Sequence, residues 1–236
     1  SIPIADCSSP GRLLTELHLR QFLPSALPLG RVRVLDIGCG SGRLCSILAE
    51  MGYSGEYTGL DIDDRFSPQS VPAFKRKLVL GDARDFDAGD TKFDLILSMS
   101  ALEHIPDEGR LLERLPSMLT PQGVELHYVP SGWGLLVYLW HGYRQYPLPY
   151  VLKAFGGPGV RLFAFGGLFS FLLHFLLITI GEMLLGISVR KKTPRLYMRL
   201  LRASLTCDSC ARICPTMFAV FRPKRVLRNL ESVKNE

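Results

Sequence analysis

The chain has 236 residues, a formal net charge of +6, 47% hydrophobic residues and 21% charged ones. That length suits one domain of moderate size, or a compact core carrying one large insertion, and the composition excludes disorder, a collagen, a coiled coil and a solenoid. Six cysteines, unevenly placed, are too few for a disulfide scaffold in a chain this long.

In chain order, residues 12–22 read as a first helix, and the β-branched run at 32–37 (VRVLDI) as a buried strand followed by a helix over 43–51. Residues 57–62 form a second strand, 77–80 a short third and 93–99 (FDLILSM) a fourth. Leucines at helical spacing mark 109–118, and 123–129 is a fifth strand. Strands alternating with helices imply right-handed crossovers and a mainly parallel sheet. A Pro/Gly-rich apolar stretch, a basic stretch and a last strand at 216–221 (TMFAVF) complete the chain. Ser1 opens no basic start with an apolar run behind it, so no signal peptide is expected here.

After the first strand comes Asp36-Ile37-Gly38-Cys39-Gly40-Ser41-Gly42. Glycines there let the backbone turn tightly and approach a ligand just before a helix N-terminus. The pattern by itself also fits a nicotinamide-type dinucleotide site. Three acids decide between the two: Asp36 before the loop, Asp61 at the end of the second strand, and Asp82 after the third.

The sequence resembles the class I S-adenosylmethionine-dependent methyltransferases of the broad small-molecule group. LDIGCGSGRL (35–44), GLDID (59–63), GDARDF (81–86), FDLILSMSALEHIPD (93–107) and LTPQGVEL (119–126) carry the resemblance, in order and at normal spacing. It implies an α/β fold, a Rossmann-like seven-stranded and mostly parallel sheet with helices on both faces and an antiparallel last strand. To this the chain adds an apolar helical insertion before that strand. The core is expected at 1–130 and 215–236, with 131–214 an inserted cap or membrane-contact region. The resemblance also implies residue roles. Asp36 and the Gly38, Cys39 and Gly40 loop would hold the methionine end of the cofactor, with Ser98 and Met99 lining that arm. Asp61 would take the ribose, Ile62 would pack on adenine, and Asp82 with Ala83 would read the adenine edge. One departure is the Pro-containing stretch 64–76, where the usual helix is short or missing.

Glu103-His104 follows the fourth strand, where substrate meets the methyl group in this fold. His104 is the candidate catalytic base, and Glu103 is expected to orient the start of a helix. His127, inside a strand, reads as a core residue. His141, Tyr143, Arg144 and Tyr146 follow the fifth strand and are the candidate acceptor-binding cluster, with Trp133, Tyr138 and Trp140 suggesting an apolar acceptor.

Residues 162–189 are apolar with Glu182 their only acid, and Arg190-Lys191-Lys192 follow. A run of about 20 such residues is long enough to cross a bilayer. A single crossing would leave the last strand on the wrong side of its sheet, so a span is not expected. As a helix the run puts Gly167, Ser170, His174, Gly181 and Ser188 on one stripe and leaves the other faces apolar, which suits a peripheral membrane contact with the basic cluster on anionic lipid. A buried cap over a lipophilic site is the other reading. Cys207, Cys210 and Cys214 copy part of a cluster-ligand spacing without a fourth ligand, and no metal is expected. No N/D-P-P-Y/F motif follows the fourth strand, which argues against nucleic acid as the partner. The expected activity is methyl transfer to a hydroxyl, or an amine or carbon, of a lipophilic small molecule, in the cytoplasm at the inner face of a membrane. A non-catalytic cofactor-binding partner at a membrane and an RNA-directed methyltransferase are the alternatives. The sequence assigns no oligomeric state.

Overall fold

A computed structural model describes residues 8–137, 142–210 and 213–224. Its seven-stranded sheet comprises β1 (Arg31–Ile37), β2 (Ser54–Asp61), β3 (Phe74–Leu80), β4 (Phe93–Met99), β5 (Leu119–Pro130), β6 (Arg161–Phe165) and β7 (Met217–Pro223), in the order β3-β2-β1-β4-β5-β7-β6. The first five strands are parallel, and β7 runs antiparallel between β5 and β6. Strand order reverses between β1 and β4, so their C-terminal ends open a crevice, the usual ligand position in such sheets.

Helices α1 (Pro10–Ala26) and α2 (Arg43–Glu50) cover one face, packing Leu19, Leu23, Leu44 and Leu48 on the sheet. Helix α3 (Glu108–Met118) covers the other with Leu111, Leu112 and Leu115. β7 shows why both faces need cover. Met217, Ala219 and Phe221 enter the first core, and Phe218 and Val220 enter the second. No helix lies between β2 and β3, as the prolines in that stretch dictate.

The remaining elements lie between β5 and β7. Short α4 (Gly134–Val137) is followed by α5 (Leu148–Phe155), which joins α3 on the second face. After β6 come α6 (Leu168–His174), a π-helical stretch over Phe175–Leu184, α7 (Val189–Lys192) and α8 (Pro194–Cys210). Tyr197 and Leu201 of α8 pack with Leu13 of α1, and Leu173 and Leu177 close that third cluster.

The expectation of one helical run from Leu162 is corrected here. Arg161–Phe165 is a strand, paired with β7 from Arg161↔Phe221 to Phe165↔Met217. The free edge of β7 offers hydrogen bonds that a helix there would leave unmet. The change of direction falls at Gly166, whose φ of +77° suits glycine and where a Cβ would lie 2.7 Å from Thr216 Oγ1.

The polar stripe of this segment faces inward. Ser170, His174 and Thr179 are buried, whereas Leu172, Leu176, Met183, Leu184, Leu185 and Ile187 are exposed. Thr179 donates to the Val137 carbonyl at 2.6 Å, and Asp208 of α8 accepts from the Phe169 and Ser170 amides at 2.8 and 3.0 Å. Among the described residues no helix is long and apolar enough to cross a membrane.

Candidate active site

The glycine loop is shaped by contacts on both sides. Gly38, Gly40 and Gly42 have φ of +71°, +52° and +75°. A Cβ on Gly38 would sit 2.3 Å from that of Ala101, so the loop packs directly against the exit of β4. The Gly38 and Cys39 amides donate to the Leu60 carbonyl. Asp61 ties the loop down further, its Oδ2 accepting from the Gly40 amide at 2.6 Å and its Oδ1 from the Asp63 amide at 3.0 Å. Oδ1 also lies 3.5 Å from Arg65 Nη2, and Oδ2 keeps a second lone pair for a ligand hydroxyl.

Two cavities meet at this loop and share Gly38 and Ser100. The larger, about 550 Å³, is walled by Asp61, Ile62, Asp82, Ala83, His104 and Tyr143. The smaller, about 360 Å³, is walled by Arg12, Glu16, Asp36, Arg43, Met99 and Glu103. Pro130 and Met217, at the ends of β5 and β7, close its far side.

Burial sets the chemistry of the smaller cavity. The Asp36 carboxyl is pushed up to about 7, because loss of solvent and the charge of Asp61 outweigh the hydrogen bond donated by the Tyr57 hydroxyl. Glu103 is likewise pushed up to about 7 by burial, with only its own backbone amide working the other way. Arg12 is lowered from its ordinary value, by desolvation first and by the neighbouring Arg43 second. Glu16 holds Arg43 at 2.8 Å and Arg20 at 3.0 Å. Burial raises the Cys39 thiol to about 12, which removes it as a nucleophile near neutral pH.

Asp36, Gly38, Cys39, Gly40 and Met99 are thus brought together in one cavity. Asp61, Ile62, Asp82 and Ala83 come together in the other. Ile62 keeps 69% exposure, an apolar face beside the acids. Asp82 is paired with Arg84 at 2.6 Å. The Ser98 side chain lines neither cavity. It is fully buried and bonds His127 Nδ1 at 2.9 Å, and His127 Nε2 reaches Glu125 at 3.2 Å.

His104 is exposed and lines the larger cavity, on the side of Asp61 and Asp82. The cluster at 141–146 is not one surface. Tyr143 lines the larger cavity, Arg144 pairs with Glu108, and Tyr146 is buried against Tyr150 and Phe155. His141 lies outside the described residues, as do Tyr138 and Trp140.

Sequence reasoning missed Arg12, Glu16 and Arg43, which reach the cavity from α1 and α2. Their charge is not a local signal, since α1 and α2 carry Arg20 and Glu50 as well, and only the packing of α1 beside the loop turns these three into a site. Glu103, assigned a helix-orienting role, also lines the smaller cavity.

A family model described as a methyltransferase domain matches residues 35–126. A ubiquinone biosynthesis O-methyltransferase of Bartonella quintana is 30% identical over 149 residues, 55% of this chain and 60% of that one. Another, from Bradyrhizobium diazoefficiens, is 35% identical over 101 residues, 41% of this chain and 39% of its own. The chain therefore matches less than two thirds of the length of these curated relatives. In fold, it is similar to a SAM-dependent methyltransferase from Archaeoglobus fulgidus, with a TM-score of 0.54 at 21% identity, covering 90% of this chain and 94% of that one. It is also similar to the mycolic acid cyclopropane synthase CmaA1 complexed with SAH and CTAB, with a TM-score of 0.54 at 18% identity, covering 89% and 82%.

Proposed function

Since residues 35–126 are a methyltransferase domain of the class I S-adenosylmethionine-dependent kind, we propose that the protein transfers a methyl group to a hydroxyl of a lipophilic small molecule. The observation that carries this reading is the pair of cavities meeting at Gly38. One has the acids and the apolar Ile62 that a nucleoside needs, and the other combines an acid, a guanidinium and an apolar wall.

The residues present fit the cofactor. Asp61 would accept from the ribose hydroxyls, Ile62 would lie on the adenine, and Asp82 with the Ala83 amide would read its edge. In the smaller cavity Asp36 would take the ammonium of the methionine end, and Arg12 its carboxylate. When bound, the cofactor supplies a methyl group already activated on a sulfonium. The chain then has to align the acceptor and exclude water, which can be worth about 7–11 kcal/mol of barrier. Leu44, Ile47, Met99, Pro130 and Met217 in the smaller cavity suit an apolar acceptor. The names of the curated relatives support a hydroxyl as the atom methylated.

The same proposal assigns the acceptor to a membrane surface, reached by peripheral contact at the inner face through the part of 162–189 that follows strand β6. Support comes from the inverted 168–187 segment, whose exposed leucines lie next in sequence to exposed Lys191, Lys192, Arg195, Arg199 and Arg202. Exposed apolar side chains rimmed by cations match the boundary of an anionic bilayer.

Calorimetry with S-adenosylmethionine and S-adenosylhomocysteine, followed by methyl transfer to an alkylcatechol, tests the activity. Micromolar binding of both and an O-methylated product are expected; binding without transfer to any acceptor would favour a non-catalytic partner. Flotation with phosphatidylglycerol vesicles tests the surface. Retention on RNA in place of lipid would overturn it.

A further inference from the structure

Glu103 lies in a 3₁₀ turn, Leu102–His104, between β4 and α3. Its side chain is completely buried, and among the described residues neither carboxylate oxygen has a hydrogen-bond partner beyond its own backbone amide. The chain at 142–143 closes over it: the Tyr143 amide donates to the Glu103 carbonyl at 2.7 Å, and a Cβ on Gly142 would come within 3.0 Å of Glu103 Cγ. Other polar groups near it are committed or silent. Arg144 pairs with Glu108, and the Tyr146 hydroxyl is buried without a partner among the described residues. Leaving a buried carboxyl unsatisfied is costly, and native chains seldom do so without a use for the group.

Its position supplies the use. Glu103 shares the smaller cavity with Gly38, Met99 and Ser100. Other candidate bases in that wall are already occupied. Glu16 neutralises Arg43 and Arg20, and Asp36 accepts from Tyr57. His104, one residue on, lines the larger cavity beside Asp61 and Asp82.

We propose that Glu103, and not His104, is the catalytic residue that accepts the proton of the acceptor hydroxyl. The assignment rests on the reading above that the methyl group goes to oxygen. In that transfer the acceptor oxygen forms a bond to the methyl carbon while the C–S bond breaks, its electron pair staying on sulfur as the sulfonium becomes a thioether. The hydroxyl proton passes to the Glu103 carboxylate and leaves to solvent after product departs. A carboxyl raised towards neutrality is a stronger base than an ordinary one and is still substantially ionised at pH 7. The groups near it are the Tyr146 hydroxyl, whose own pKa is raised by burial first and by the Glu103 charge second, and Asp36, which lines the same cavity.

Glu103→Gln and His104→Gln separate the two candidates, with an alkylcatechol as acceptor. For Glu103→Gln, kcat should fall by about 10²–10⁴-fold with S-adenosylmethionine affinity within a few-fold of wild type, and the acid limb of the kcat–pH profile should disappear. His104→Gln should keep that limb. A second readout needs no turnover. In cofactor-free protein the infrared C=O band of a protonated carboxyl, absent in Glu103→Gln, should titrate near neutrality. Activity of Glu103→Gln within threefold of wild type would overturn the proposal, as would a wild-type rate abolished by EDTA and restored by Mg²⁺. Cofactor binding and a titrating Glu103 band, with transfer only to amines or carbon, would instead sink the hydroxyl reading and the base role with it.

Discussion

The two halves of the molecule treat polarity in opposite ways. From β1 to β4, acids stand at strand ends and face cavities, while apolar residues fill the two cores on either side of the sheet. From α6 to α8 the order reverses: Ser170, His174 and Thr179 point inward, and a row of leucines points outward. A helix that buries its small polar stripe and exposes its large apolar faces gains little from folding in water alone. The first half thus gathers acids around its cavities, and the second carries the exposed apolar row on which the proposed membrane contact rests.

The sharpest way to break the first half is Gly38→Ala. The new Cβ would meet that of Ala101 and hold a left-handed φ, a combined cost of about 2–5 kcal/mol. Gly40→Ala is the control: its φ is also positive, but nothing lies within 4 Å, so only the backbone cost of about 1–2 kcal/mol applies. Urea melts should rank the two in that order, with cofactor affinity lost first in Gly38→Ala. Equal midpoints would mean the loop does not pack as described.

In the second half, Asp208→Ala removes the acceptor for two amides at the start of α6 and should cost about 2–3 kcal/mol. Amide exchange should quicken over 168–184 and stay unchanged over 31–99, with cofactor affinity intact. A uniform change across both would show that the halves unfold as one. A smaller effect is expected from Lys191→Glu with Lys192→Glu, about 1 kcal/mol of vesicle affinity per residue changed, vanishing on neutral lipid. An unchanged affinity would move the membrane contact elsewhere.

Sequence made the first half legible because its demands are local. A loop needing three positive φ angles within five residues must be written in glycine, and acids at strand ends need no tertiary information. The second half hid its geometry in one apolar run. Leu162 to Phe165 carries no alternation that separates strand from helix, and only the free edge of β7 settles it. In sequence His104 was the candidate base and Glu103 a helix-orienting residue, yet a single 3₁₀ turn sends the adjacent pair to different cavities. Arg12 enters the site through the packing of α1, which no motif records.

Asp36 gives a pH test that separates ligand chemistry from folding. Its carboxyl stands near 7 when folded and at an ordinary 3.8 in the unfolded chain, so the folded state holds a proton that the unfolded state releases in between. Its contribution to stability is present below about pH 4 and is lost as pH rises through 7, and Glu103, raised from 4.5 to about 7, acts in the same direction. His18 and His174 oppose them. Burial lowers both to about 4 from 6.5, so their contribution is present above 6.5 and is lost as pH falls towards 4. Wild-type stability over that window is therefore a sum of opposed effects and reports none of them cleanly. Cofactor affinity is simpler, since an ammonium beside Asp36 requires the carboxylate. The dissociation constant should fall as pH rises, by up to about tenfold per unit below 7, and level off above it. Asp36→Asn should bind weakly at every pH and, relative to wild type, gain stability as pH rises from 4 to 7. A wild-type affinity flat across that range would place the ammonium on some other group.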